Sequence, residues 1–277
     1  MNERALGKRL PIYVLHIDDT GSRHLDKLVA RPNEHPQWFA LGGMLVKQED
    51  EQTCKVMHSS LYARWPKMNG PLHLTDMRAR RGGFSWLEGE SPDSQKAYWK
   101  DYETFLSSLP VIGMACVIHR PGYLARGYGS RTGDAKWNLC RSAFGIVVER
   151  AAKFAHARGH RLRVEYEGSN KEADHALRGY FALLKSGIGV GFNPASSAGY
   201  QTLDQASVAM TLIDMERKDK KSRLMQIADS YVYAIAKEKY DPSFGLSVAL
   251  RSSGRFIEHH LMETEEDRTH GIKYYCF

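Results

Sequence analysis

The sequence lacks the features that mark several protein classes. Its four cysteines, Cys54, Cys116, Cys140 and Cys276, are scattered, with no C-x-x-C pair. That spacing makes neither a disulfide framework nor a zinc cluster, so a reducing, cytoplasmic setting is expected. Long hydrophobic runs are missing too. Runs such as Val111 to Ile118 fall far short of the ~20 residues a membrane span needs. The opening MNERALGKRL has charges but no apolar stretch with a small-residue cleavage site behind it, so no secretory signal is expected. There is no linker rich in Pro, Gly or Ser, no repeat and no low-complexity tract. The expectation is therefore a single domain over residues 1–277, with its core at about 11–240 and a C-terminal extension at 241–277. Several catalytic signatures are absent: Asp18-Asp19-Thr20 has the wrong spacing for Asp-x-Asp-x-Thr, and no Walker loop, G-x-S-x-G elbow or H-E-x-x-H occurs.

What is present is ordinary globular composition: 277 residues, 42% hydrophobic and 26% charged. Such a chain can bury a sizeable core and is not disordered. Lys and Arg number 39 against 32 Asp and Glu, a net charge of +7 that favours polyanion partners by long-range attraction.

Hydropathy patterning gives an order of elements. Residues 11–18 read as a buried strand ending in acid, 38–46 as a second and 111–118 as a third. Residues 50–64 read as a helix. Ser91-Pro92 opens another, with an apolar stripe of Tyr98, Tyr102, Phe105, Leu106 and Leu109. Residues 68–83 read as an irregular loop. Asp134 caps a long helix closed by Gly159. Residues 162–166 alternate as a strand, and Ser169-x-x-Glu172 forms a capping box for a helix ending near Gly187. Residues 208–213 read as the fifth strand. Residues 222–239 form a helix with Leu224, Ile227, Ala228, Tyr231 and Ile235 on one face. The pattern predicts an α/β fold with a mixed sheet and helices on its faces.

The carboxylates are the informative residues. Asp18 and Asp19 end an apolar strand, where open α/β sheets bind ligands. Glu165 and Glu167 share one strand face, and Glu167 lies at the strand end. Asp229 sits mid-helix, where a short acid is a poor helix former, on a stripe with Ser222 and Gln226. Acids on separate elements can converge on a hard cation such as Mg²⁺. His73 and Asp76 lie beside Arg78, Arg80 and Arg81, a basic patch suited to phosphates. A second basic run, Arg217 to Arg223, includes Lys218, Lys220 and Lys221 and precedes the Asp229 helix.

The segments IDDTG (17–21), FALGGMLV (39–46), LHLTD (72–76), EGSNKEAD (167–174) and KKSRLMQIAD (220–229) together resemble the domain of unknown function 3800 family. That resemblance spans about residues 11–240 and implies a ribonuclease H-like fold: a mixed five-stranded sheet flanked by helices, with a helical insertion between strands 2 and 3. The family's Asp-Glu-Ser-Gly opening reads Asp18-Asp19-Thr20-Gly21 here. Its His motif matches His73, its Glu and Asp seven residues apart match Glu167 and Asp174, and its closing helix matches Ser222, Gln226 and Asp229. The resemblance implies metal ligation by Asp18, Glu167 and Asp229 with Mg²⁺ or Mn²⁺; His73 is expected to aid catalysis, Asp19, Ser222 and Gln226 to contact substrate, and the basic residues Arg78, Arg80, Arg81, Lys220 and Lys221 to meet its phosphates. Glu165 remains an alternative strand ligand, and Glu149 is the only candidate acid on the long helix.

The leading expectation is a divalent-metal-dependent nuclease acting on DNA or RNA, in a defence system or mobile element and with a protein partner in view. A non-catalytic nucleic-acid binder of the same fold is the alternative. A nucleotide-processing enzyme ranks third, because no second phosphate loop is visible.

Overall fold

The computed structural model describes residues 10–23, 37–127, 135–186, 203–261 and 273–274. The predicted cap Asp134 and, in the C-terminal extension, residues 262–272 and 275–277, Cys276 among them, lie outside them. Among the described residues, no helix is long and apolar enough to cross a membrane.

The sheet is mixed, in the order β5-β4-β1-β2-β3-β6. Strands β1 (Ile12–Gly21), β2 (Trp38–Lys47) and β3 (Val111–His119) run antiparallel in succession, while β4 (Arg161–Glu167) and β5 (Leu212–Lys218) run parallel to β1. A two-residue β6 (Lys273–Tyr274) edges β3. The five main strands and their flanking helices are the α/β architecture that the apolar runs imply.

Helices α1 (Glu51–Arg64), α2 (Leu74–Arg78) and α3 (Pro92–Ser108) intervene between β2 and β3, as expected of the insertion. The Ser91 side chain accepts the N–H of Ser94 and caps α3. The stretch 68–83 is not wholly irregular, because α2 forms within it and a 3-10 helix starts at Gly82. Beyond β3 come α4 (Arg120–Ala125), α5 (Ala135–Ala157), α6 (Lys171–Ser186), α7 (Gln205–Thr211), α8 (Arg223–Glu238) and α9 (Gly245–Ser252).

Three local expectations need correction. The fifth strand starts at Leu212 and not at 208: Asp204 accepts the N–H of Ser207, capping helix α7 over Gln205–Thr211, and the strand runs Leu212–Lys218. The cap of α6 is Asn170, whose side chain accepts the N–H of Ala173, while Asp174 reaches back to the N–H of Ser169. Helix α8 is not amphipathic in its surroundings, since every residue from Leu224 to Ala236 is buried. It packs across β1, β2 and β3 on one side and is roofed by α1, α2 and α9 on the other. Burial on all sides is what turns its few polar residues into organisers.

The two sheet faces divide the work. Tyr13 meets Phe154 of α5 edge-to-face, so odd-numbered β1 residues look toward α5. His16 and Asp18 project to the α8 face by the two-residue period. Helix α8 comes close enough that a Cβ on Gly43 would lie 2.9 Å from the Cβ of Ala228.

Candidate functional site

Two layers of ionisable side chains lie on the α8 face of the sheet. The deeper layer is neutralised within itself. His16, fully buried, has Nδ1 3.3 Å from Glu165 and Nε2 3.5 Å from Glu51. Burial alone would lower the His16 pKa, but the two glutamates outweigh it and hold the ring above its ordinary value. Burial likewise pushes Glu165 up, but His16 and Lys218, the latter 3.2 Å away, bring it below the usual range. Glu165 is therefore committed to a structural ion pair.

The outer layer, two residues further along each strand, is not neutralised. Ile17 pairs with Tyr166 in the parallel β1–β4 ladder, so Asp18 and Glu167 follow side by side at one end of the sheet. Burial pushes the Asp18 carboxyl well above its usual range, and the charges of Asp229, Glu167 and Asp19 add to this. The N–H of Asp19, 2.7 Å from Asp18 Oδ1, works in the opposite direction. Asp229, only 7% exposed, is raised by burial, against the pull of His73, the Leu74 N–H and Lys220. Glu167 is raised by burial, with Lys220 opposing and Asp229 and Asp19 reinforcing. Three acids from β1, β4 and α8 thus sit in one another's field. Asp19 turns aside to pair with Arg23.

Asp229 also fixes the neighbouring loop. Its Oδ2 accepts the backbone N–H of Leu74 at 2.9 Å, and its Oδ1 lies 3.9 Å from His73 Nε2. The other ring nitrogen of His73 is 2.7 Å from Asp76, which in turn pairs with Arg81 at 3.0 Å. Burial would raise Asp76, but the bond from His73 and the charges of His73 and Arg81 keep it low. The result is a relay Asp229–His73–Asp76–Arg81 running from the acid cluster to the surface.

Gln226 is bound on both ends of its amide. Its Oε1 accepts from Leu72 N–H at 2.8 Å and lies 2.9 Å from His58 Nε2, while its Nε2 donates to the carbonyls of Lys220 and Lys221. An amide with both donors and both acceptor directions filled has nothing left for a substrate. Gln226 instead ties the His73 loop to the Lys220 turn.

Oxygen donors of this kind suit a hard divalent cation; burial is the first cause of their raised pKa values, and repulsion from neighbouring acids adds to it. Among the described residues, no three His, Cys, Asp or Glu side chains stand together in a group that could hold a metal ion as placed.

Over 269 residues, 94% of this chain and 94% of its relative, the sequence is 31% identical to the uncharacterized protein y4pM of Sinorhizobium fredii. The chain belongs to the y4pM family. No family model matches it, and no solved structure matches it.

In this y4pM-family protein the two basic patches are less uniform than their sequence suggests. Arg81 joins the relay, but Arg78 lies over the Phe244 ring, 4.7 Å from its centroid, and lines a separate cleft with Arg80. In the second run, Arg217 pairs with Asp174 at 2.7 Å, and Lys218 pairs with Glu165 and Glu216. Lys220 is the member of that run whose charge acts on Glu167 and Asp229. Lys221 is exposed and Ser222 precedes α8 without capping it. Asp174 is occupied with Arg217 and the Ser169 N–H. Glu149 is buried on α5, 3.2 Å from Lys153. Sequence reasoning missed the His16–Glu51–Glu165 layer; a histidine at the centre of an apolar strand was the available signal.

Proposed function

We propose that this protein is a cytoplasmic, divalent-metal-dependent nuclease of ribonuclease H-like architecture, related to the domain of unknown function 3800 family and acting on phosphodiester bonds of DNA or RNA. The observation that carries the reading is that Asp18, Glu167 and Asp229, from three elements at one end of the sheet, lie within range of one another's charge: Asp18 feels both of the others and Glu167 feels Asp229. The order of three antiparallel strands followed by helix–strand alternation supports it, as does the net charge of +7.

In this reading Asp18, Glu167 and Asp229 would hold Mg²⁺ or Mn²⁺. A cation held there would supply the chemistry of an activated water and of charge stabilisation at the leaving oxygen. His73, oriented through Nδ1 by Asp76, presents Nε2 beside Asp229, where it can hold or pass a proton. Lys220 balances part of the acid charge and meets the substrate phosphate.

The test is cleavage of labelled single- and double-stranded DNA and RNA with Mg²⁺ or Mn²⁺ and with a chelator. Metal-dependent cleavage that disappears in Asp18→Asn and Asp229→Asn supports the proposal. Chelator-insensitive cleavage, or full activity in both variants, overturns the mechanism. Binding without cleavage in the wild type, unchanged in Asp18→Asn, identifies a non-catalytic nucleic-acid binder.

A further inference from the structure

A second concave site lies apart from the acid cluster, between α2, α3 and the start of α9. It has a volume of about 270 Å³ and is lined by Arg78, Arg80, Gln95, Trp99, Glu103 and Phe244. This mixture of cations, aromatic surface and a carboxyl is not what packing requires. The Arg78 guanidinium stacks on Phe244 and makes no ion pair among the described residues. Glu103 likewise has no hydrogen-bond or ion-pair partner among the described residues, and burial lifts its carboxyl above the usual range. Its Oε1 is held against Gly245, where an added Cβ would lie 3.1 Å away. A guanidinium and a carboxyl thus line one cleft without pairing with each other, each left with bonding capacity for a third party.

Two further observations indicate that the cleft is built. Arg80 takes the left-handed conformation, φ +53°, with which α2 closes, the Arg81 N–H donating to the Asp76 carbonyl at 2.9 Å. That conformation accompanies a 2.9 Å bond from its guanidinium to Gln95 Oε1 within the cleft. Trp99 packs edge-on against Tyr98 and Tyr102, which fixes its ring while leaving it half-exposed to the cleft. A fixed, half-exposed indole beside guanidinium groups is the combination on which unpaired bases stack.

We propose that this cleft is a subsite for one unpaired guanine nucleotide of a single strand, with its phosphate on Arg78 and Arg80, its base on Trp99 and its Watson–Crick N–H edge donating to Glu103. Guanine is selected because its N1–H and N2–H₂ present two donors side by side to a carboxylate, whereas adenine and the pyrimidines do not. A single-stranded substrate is selected because only an unstacked base exposes that edge together with a ring face. The inference rests on the nucleic-acid substrate proposed above. His73 is the N-cap of α2 and Arg78 its last residue, so the two sites flank one helix roughly 7.5 Å long, and one strand can meet both.

The test is equilibrium binding in chelator, with short pyrimidine oligonucleotides carrying one guanine, one inosine or neither. Because no cleavage is needed, its outcome is independent of the nuclease mechanism. The guanine strand should bind roughly tenfold tighter than the inosine strand, which lacks the N2 donor. Glu103→Gln should erase that difference while leaving the circular dichroism unchanged. Arg78→Ala should weaken all three strands and make log K against log salt shallower by about 0.7. Equal affinity for the three strands, no change in Glu103→Gln, or guanosine monophosphate binding as tightly as the oligonucleotide would each overturn the proposal.

Discussion

The carboxylate of Asp229 accepts the backbone N–H of Leu74 at 2.9 Å, so the helix acid and the loop bearing His73 are placed by one bond. An Asn at 229 keeps an acceptor oxygen for that N–H, whereas an Ala does not. Asp229→Asn should abolish cleavage with little change in stability. Asp229→Ala should lose activity and also about 1–3 kcal/mol, the cost of an unsatisfied buried donor. Urea denaturation beside the cleavage assay separates the two effects. Equal stability of both variants would show that the bond does not anchor the loop.

Gln226→Ala should be a stability variant. It strands the buried Leu72 N–H and the His58 ring and frees the Lys220 turn, at a combined cost of about 2–4 kcal/mol. A variant with native stability and weakened substrate binding would instead restore Gln226 to the substrate.

His58 carries a pH consequence. Burial lowers its pKa, the Gln226 bond opposes this, and the Arg223 charge lowers it again. A histidine with a depressed folded value favours the neutral native state. Its contribution is present above the ordinary value near 6.5 and is lost as pH falls through the folded value. Stability measured between neutrality and mild acid should therefore fall in the wild type, and fall less steeply in His58→Gln. Parallel curves would remove His58 as the cause.

His16→Leu should cost about 3–5 kcal/mol, because it removes the buried cation between Glu165, which is buried, and Glu51, which is half-buried. Glu165→Gln should also destabilise, while cleavage by the folded fraction persists. Loss of activity in folded Glu165→Gln protein would make Glu165, not Glu167, the strand acid of the site.

Much of this architecture is legible in the sequence, and the exceptions have physical causes. Strands β1 to β3 announce themselves because they are apolar, β4 because apolar and charged residues alternate along it, and α3 because Ser91-Pro92 starts it. Strand β5 hides because it lies outside β4 with half-exposed and exposed positions, so its residues Asp214, Glu216, Arg217 and Lys218 look like a loop. The apolar stretch just before it belongs to α7, and Asp204 three residues ahead of Ser207 was the capping signal. Asp18, Glu167 and Asp229 are legible as acids ending or interrupting apolar elements. Arg78 and Arg80 are not, because adjacency in sequence says nothing about which side of a five-residue helix faces which cleft. Gln226 could be located but not interpreted, since its partners at Leu72 and His58 are more than 150 residues away.

The contact between Gly43 and Ala228 determines how tolerant the site is. Most helices float on a cushion of side chains whose rotamers can yield, and the gap between helix and sheet drifts as cores are repacked. Here the residue next to Asp229 rests almost on bare backbone, where a Cβ on Gly43 would come within 2.3 Å of the His16 carbonyl oxygen. The separation between the helix acid and the strand acid is thereby gauged by main chain. Distant core substitutions, however destabilising, should leave that spacing intact until the whole molecule unfolds. The smallest possible enlargement, one methyl group at residue 43, would wedge the gauge open.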